Sequence, residues 1–368
     1  MERLFQQARI NDMQVGNRVV RSATWEGMAK EDGSCPPELA EMMAELARNE
    51  VGLIISSHAF VSPEGQAGPW QLGAHSEDML RGLANMASAV HEAGGKAILQ
   101  LAHAGSQADP ELTGLEAIGP SRPQEREELS CREMTREDIS KVVEAFARGA
   151  RLALRAGFDG VQIHAAHGYL LNQFLSPYFN PRTDGYGGDI SGRARIVLET
   201  AEAIRSETGP GFPVLIKINS EDYLTPGMTA EESLSVCGML QERGLDAVEM
   251  SGGTPQSGSR IPPRMAPIRS SGDEVYYLDS ARRFKRELDL PLILVGGIRS
   301  FQVARDLVEQ GDADFVSLSR PLIREPDLVK RWKEGDTRPS TCSSDNKCFK
   351  PVLSGEGIYC YNLRKESA

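Results

Sequence analysis

No stretch of about 20 apolar residues occurs in this chain of 368, which excludes a membrane-spanning helix. The N-terminus, Met1-Glu-Arg-Leu-Phe-Gln-Gln-Ala-Arg-Ile, has no apolar signal core, so the expected location is the cytoplasm. Positive charge is in short supply: 41 Lys and Arg against 52 Asp and Glu give a net charge of −11. A surface of that sign repels phosphate backbones and excludes general nucleic-acid binding, while leaving room for a local basic pocket around a phosphorylated cofactor. Cysteines number six, too few and too unevenly placed for a disulfide framework in a chain long enough to bury a sizeable core. Three of them, Cys342, Cys348 and Cys360, crowd the end of the chain. Also missing is a Gly-x-Gly-x-x-Gly after the first strand-like run, the turn that a doubly wound dinucleotide fold wants.

What the chain does have is alternation. Short β-branched runs recur at 18–24, 51–58, 96–102, 160–164, 213–219, 247–252, 292–296 and 313–319. Helix-like stretches separate them at 37–50, 77–93, 135–156, 192–208, 229–243, 274–288 and 299–310, the third opening on a capping box, Thr135-Arg-Glu-Asp138. Eight strands alternating with helices predict an α/β fold, a (β/α)8 TIM barrel over residues 1–340, followed by a cysteine-containing tail over 341–368. The long connections, 103–134, 165–192 and 253–273, all follow strands and so gather at the C-terminal mouth, where barrels build their sites.

Period-two alternation sorts the strand residues by direction. Val161 and Ile163 share one face and Gln162 and His164 the other; Val214, Ile216 and Ile218 oppose Lys217; Leu99 and Leu101 oppose Gln100. The apolar faces suit the surrounding helices, which sends Gln100, Gln162, His164 and Lys217 into the lumen, where unpartnered polar groups are costly. At the end of the fourth run stands the densest chemistry in the chain, His164-Ala-Ala-His167-Gly-Tyr169, continuing to Asn180-Pro-Arg182-Thr-Asp184-Gly-Tyr186-Gly-Gly188. Two imidazoles and a phenol at a strand end can hold an oxyanion and deliver a proton. The same imidazoles could be a metal pair, for which no third ligand is obvious, or buried core residues. Arg182, Asp184 and Tyr186 read as residues that fix the loop.

With those residues in view, the chain resembles the old yellow enzyme family of flavin-dependent ene-reductases over about residues 4–335. The carriers are Asn17-Arg18-Val-Val-Arg-Ser-Ala-Thr24, Leu99-Gln100-Leu-Ala-His-Ala-Gly105, the 164–188 block, Lys217, Val295-Gly-Gly297 and Ser319-Arg320. The resemblance implies FMN across the barrel mouth, reduced by NADH or NADPH, with hydride passing from flavin N5 to the β-carbon of a small unsaturated carbonyl substrate. It further implies His164 and His167 on the carbonyl oxygen and Tyr169 as proton donor. Lys217 would sit near flavin N1 and O2, Gln100 on the pyrimidine edge, and Gly296, Gly297, Ser319 and Arg320 on the phosphate. Ser22, Ala23, Thr24 and His58 would line the flavin. Oxidative demethylation of an amine, and a flavoprotein that senses redox state or binds ligand without turnover, are the competing functions. Whether the chain forms a homo-oligomer is open.

Two stretches depart from the family. Where many relatives have Pro-Met-Thr or Pro-Met-Cys, this chain has Ala23-Thr24-Trp25, so either Thr24 or Trp25 holds the position that tunes the flavin. Larger relatives hold a [4Fe–4S] cluster on four cysteines; here Cys342, Cys348 and Cys360 remain, with Asp345 at the second ligand's place and one residue fewer before Cys348. A structural tail without metal is the expectation, and a cluster ligated by Asp345 the alternative.

Overall fold

A computed structural model describes residues 2–122, 131–265 and 268–366. Eight parallel strands close a barrel: β1 (Val19–Arg21), β2 (Leu53–Phe60), β3 (Lys96–Ala102), β4 (Gly160–Ala165), β5 (Val214–Asn219), β6 (Ala247–Ser251), β7 (Leu292–Val295) and β8 (Phe315–Leu318). Closure is made where Val316 and Ser317 of β8 pair with Val19 and Val20 of β1. Helices α1 (Pro37–Arg48), α2 (Leu80–Glu92), α3 (Arg136–Arg155), α4 (Ile190–Thr208), α5 (Ala230–Gln241), α6 (Leu278–Glu287) and α7 (Phe301–Glu309) lie between successive strands. The Thr135 capping box forms as read: Thr135 Oγ1 accepts from Asp138 N at 3.1 Å and Asp138 Oδ2 accepts from Thr135 N at 2.8 Å.

The alternation also holds. Leu99, Leu101, Val161, Ile163, Val214, Ile216 and Ile218 pack outward in the core shared with the helices. A second, smaller core fills the lower lumen, where Val20, Leu53, Ile55, Ile98, Leu215, Ala247, Ile293 and Phe315 meet. The floor is an antiparallel hairpin, Ala8–Ile10 with Met13–Val15, whose Ile10, Met13 and Val15 plug the barrel from below. Each hairpin strand spans only three residues, too few to stand out as a period.

Three local differences matter for the site. The first strand is regular only to Arg21, and residues 22–25, beyond it, line the cavity at the mouth. Helix α2 begins at Leu80, behind a 3-10 turn at Glu77–Met79. Strand β2 carries one extra residue: Ile55 pairs with Ile98 and His58 with Gln100, so three residues on β2 span two on β3. That bulge reverses the parity of the strand, and His58 faces inward like Ile55. Gln100 N, displaced from the ladder there, donates to Ser56 Oγ at 3.1 Å.

The long connections carry short elements of their own, notably the helix Leu170–Leu175 after β4. Part of the expected loop 103–134, residues 123–130, lies outside the described residues, as do 266 and 267 in the loop 253–273. The tail runs along the mouth, with Val352 buried against Gly27. No helix among the described residues is long and apolar enough to cross a membrane.

The large ring of Phe315 is fully buried in the lower lumen, below the polar layer described next. Phe315→Ala is expected to cost about 3–5 kcal/mol of unfolding free energy, since a cavity there cannot collapse against a closed barrel. Urea denaturation of the variant against the parent checks this.

Candidate active site

The site begins as a charge problem. Lys217 on β5 and Glu249 on β6 both point into the lumen and are almost fully buried, with Nζ and Oε1 3.3 Å apart. Burying such a pair is tolerable only if its remaining lone pairs and protons are used. Lys217 Nζ donates to Ser22 Oγ at 2.7 Å, and Ser22 Oγ donates in turn to Glu249 Oε1 at 2.7 Å. Ser317 Oγ donates to Glu249 Oε1 at 2.9 Å and Gln162 Nε2 to Oε2 at 2.9 Å. Gln100 Nε2 completes the layer by donating to Gln162 Oε1 at 2.6 Å. Burial works against the Glu249 carboxylate, yet Lys217 and the three donors outweigh it and its pKa falls. Burial lowers the Lys217 pKa, with Glu249 pulling the other way.

Above this layer, the four aromatic polar residues form one wall. His164 and His167 meet edge to face with ring centroids 5.2 Å apart, and Tyr169 lies 5.0 Å from His164 and 5.4 Å from His58. Tyr169 Oη is 3.1 Å from His58 Nε2, and His167 Nε2 is 2.7 Å from Ser251 Oγ. His164 Nδ1 is buried with no hydrogen-bond partner among the described residues. Burial, then the neighbouring positive charges, drives all three imidazole pKa values down: His58 to about 4, His164 and His167 well below the ordinary value. Burial drives the Tyr169 phenol up. At neutral pH the wall is therefore three neutral imidazoles and a protonated phenol.

The opposite end is built for an anion. After β7, Gly296 and Gly297 take φ of 123° and 78°, a backbone path that only glycine follows easily. Ser319 Oγ is 2.7 Å from Thr24 Oγ1. Arg320 uses one nitrogen, Nη1, for three acceptors: Arg264 O at 2.7 Å, Ser344 O at 3.1 Å and Asn346 Oδ1 at 2.7 Å. A guanidinium braced in this way keeps its other N–H groups for a ligand.

One cavity of about 470 Å³ connects these parts. It is lined by every expected cofactor residue, Ser22, Ala23, Thr24, His58, Gln100, Lys217, Gly296, Gly297, Ser319 and Arg320, together with His164, His167 and Tyr169. The size suits a small-molecule cofactor and the donor set suits FMN: a guanidinium and glycine turn for phosphate, an ammonium and an amide that would serve the polar edge of a ring, and an orphaned imidazole nitrogen. Thr24 turns its hydroxyl toward Ser22 O at 3.0 Å and Ser319, leaving Trp25 to present its bulk to the cavity.

Several lining residues escape the sequence reading. Ser251 was findable, since it continues the inward face of Ala247 and Glu249. Gln107, Tyr276, Tyr277 and Arg299 come from connections, where no period points. Arg182, Asp184 and Tyr186 do fix the loop: Arg182 Nη1 donates to Pro120 O and Met134 O, both at 2.8 Å, and Nη2 pairs with Asp184 at 2.7 Å. Arg260 and Arg264, in the loop after β6, stack on Tyr223 and Tyr276 and are not among the residues that line the cavity.

The cysteine tail brings its three thiols to one place. Cys342, Cys348 and Cys360 border one small cavity beside Arg320 and Arg324, but Asp345 is engaged by Asn362 Nδ2 and Lys347 Nζ, each at 2.9 Å. Burial raises the Cys342 thiol and pushes Cys348 up to about 11, so both stay protonated. Among the described residues no group of three or more His, Cys, Asp or Glu side chains is arranged to hold a metal ion.

Comparison with known proteins agrees with this fold. Residues 3–338 match the model of the NADH:flavin oxidoreductase / NADH oxidase family. The chain is 35% identical to an NADH oxidase of Thermoanaerobacter brockii over 97% of its own length, but spans only 57% of that protein. It is 37% identical to an NADPH dehydrogenase of Geobacillus thermodenitrificans over 76% of its length and 78% of the relative's. The solved structure of a 2-naphthoyl-CoA reductase superposes with a TM-score of 0.90 at 28% identity, over 97% of this chain and 56% of that one.

The depressed imidazole pKa values fix a pH dependence. Unfolded, the three histidines titrate near the ordinary value of about 6.5; folded, they refuse the proton until far lower pH, near 4 for His58. The unfolded chain thus binds more protons, and the stability that neutral burial contributes is fully present above about pH 6.5 and lost as pH falls toward 4. Each histidine adds up to about 1.4 kcal/mol per pH unit to the slope. In flavin-free protein, unfolding free energy measured from pH 7.5 to 5 should decline, and His58→Asn should remove about one proton's worth of that slope.

Proposed function

The chain belongs to the NADH:flavin oxidoreductase / NADH oxidase family, that of the old yellow enzymes, with FMN as cofactor, and from this premise we propose that it is an NAD(P)H-dependent ene-reductase of unsaturated carbonyl compounds. The observation that carries the reading is the pairing of a phenol held protonated by burial with two neutral imidazoles on the same cavity wall. When bound, FMN supplies the two-electron chemistry, taking hydride from NADH or NADPH and giving it to the alkene β-carbon.

The rest falls to the chain. His164, with Nδ1 unpartnered, and His167 donate hydrogen bonds to the substrate oxygen and stabilise the negative charge that develops there. Neutral imidazoles suit this role, because they donate without giving up a proton. Tyr169 then transfers its phenolic proton to the α-carbon, so that one hydride and one proton add across C=C. His58, 3.1 Å from the phenol oxygen, is placed to hold that proton in line and to help restore it. Lys217 and Gln100 would hold the flavin ring, and Gly296, Gly297, Ser319 and Arg320 would hold the phosphate. The location that accompanies this reading is the cytoplasm.

Amine demethylation makes no use of a phenolic acid beside two oxyanion donors, and a non-catalytic sensor makes no use of any of the three. Stopped-flow spectroscopy separates them. NADH or NADPH should bleach the bound yellow chromophore anaerobically, and 2-cyclohexenone should restore it. In Tyr169→Phe the bleaching rate should be unchanged, while restoration by the enone slows by about 10²-fold or more. Restoration at the full rate would remove Tyr169 as the donor; a parent enzyme that no enone reoxidises would remove the ene-reductase reading itself.

A further inference from the structure

The turn that carries the proton donor is conformationally unusual. His167 and Gly168 both have positive φ, 63° and 76°. Glycine adopts this region freely, but histidine does so only where its surroundings hold it there. Both N–H groups of the turn are taken by side-chain amides. His167 N donates to Asn219 Oδ1 at 3.2 Å, and Gly168 N to Asn172 Oδ1 at 2.7 Å. From the other side, Gln173 Nε2 donates to Gly168 O at 2.6 Å and Gln107 Nε2 to His167 O at 3.3 Å.

Behind the two asparagines stands one carboxylate. Asp222 Oδ1 accepts from Asn172 Nδ2 at 3.0 Å and from Asn219 Nδ2 at 2.8 Å, while Oδ2 accepts from Met228 N at 3.0 Å. All three side chains are fully buried. An asparagine amide fits its space nearly as well either way round, whereas a carboxylate can only accept. Asp222 therefore draws both NH2 groups to itself and turns both amide oxygens toward the loop N–H groups. Asn219 Nδ2 also donates to Gly253 O at 3.0 Å and Asn172 Oδ1 at 3.3 Å, so Asn172 depends on Asp222 for its orientation more than Asn219 does.

We propose that Asp222 is a positioning residue for the His167–Tyr169 turn: through Asn172 and Asn219 it fixes the left-handed backbone that sets His167 against Ser251 and Tyr169 against His58. What the turn does in turnover rests on the ene-reductase reading; the chain of bonds from Asp222 to the turn does not.

Asp222→Asn conserves shape and tests the claim. Its NH2 must face either the asparagine NH2 groups or Met228 N, so one donor is always opposed by another. FMN affinity and bleaching by NAD(P)H should match the parent. The limiting rate of reoxidation by 2-cyclohexenone, and the affinity for a phenolate as a mimic of the enolate, should each fall between about 10- and 100-fold, the usual penalty for a reacting group displaced by an ångström. A role in stability alone would lower the melting temperature without separating the two half-reactions. In flavin-free protein, the amides of His167 and Gly168 should be protected from hydrogen exchange in the parent and exposed in the variant. If Asp222→Asn does not fold, Asn172→Ala removes the acceptor for Gly168 N and one of the two side-chain donors to Asp222 while leaving Asn219 in place, and should give a smaller loss of the same kind. Parental phenolate affinity together with parental amide protection, in whichever variant folds, would overturn the proposal. A parent without enone activity would remove the ene-reductase reading and leave the amide exchange to decide this one.

Discussion

A lysine and a glutamate share the inside of the barrel, and the requirement to satisfy that pair shapes much of what surrounds it. Two buried charges in a dry lumen are stable only when each remaining lone pair and proton has a partner. Glu249 obtains three neutral donors, Ser22 just past β1, Gln162 of β4 and Ser317 of β8, and Lys217 obtains Ser22. The polar layer thereby ties β1, β4, β5, β6 and β8 to one carboxylate. It also leaves an ammonium just under the cavity, where burial would otherwise have favoured a neutral amine. The apolar layer and hairpin below keep water from entering the lumen from beneath.

That layer was legible in the sequence because the physics behind it is periodic. In a strand, the residue two places on faces the same way, so Val161, Ile163 and the β5 valine and isoleucines announce the outer face and leave Gln162, His164 and Lys217 inside. The same reasoning misplaces anything past an irregularity. His58 faces the cavity only because β2 carries an extra residue before it; strict alternation from Ile55 would have turned it away. It was found by resemblance, not by period. Loops have no period, which is why Gln107, Tyr276 and Arg299 escaped notice. The floor hairpin failed for another reason, as three-residue strands are shorter than the window in which alternation can be told from chance.

Charge in the sequence was a poorer guide than pattern. Arg260 and Arg264 lie in the loop after β6, where charge alone fits an anionic ligand or plain solvation equally, yet a guanidinium beside an aromatic cluster has a further alternative: it stacks on the rings and is held there. Arg320 shows the contrast. Among the described residues its partners are two backbone carbonyls and an amide oxygen, all on one nitrogen, with no carboxylate among them, so its direction is fixed. Two of those partners, Ser344 and Asn346, belong to the cysteine tail. The segment therefore has a use at the cofactor end of the cavity that does not depend on its cysteines. That use accounts for its close packing on the mouth even though Asp345 is turned to Asn362 and Lys347.

The wall of the site follows from one rule, that burial favours whichever form of a group is neutral. Applied to imidazole it lowers the pKa, and applied to phenol it raises it, so a single apolar enclosure gives His164 and His167 their hydrogen-bonding form and Tyr169 its proton. No ion pair is needed to tune any of them. The enclosure is effective only if the three rings stay together, and two of them ride on a turn with strained backbone. A turn of that kind keeps its shape when its N–H and C=O groups are all engaged, as they are here by Asn172, Asn219, Gln107 and Gln173. The chemistry on the wall and the amide network behind it are thus one constraint: the pKa values persist only while the geometry does, and apart from Gln107 the geometry is held by buried side chains that do not line the cavity.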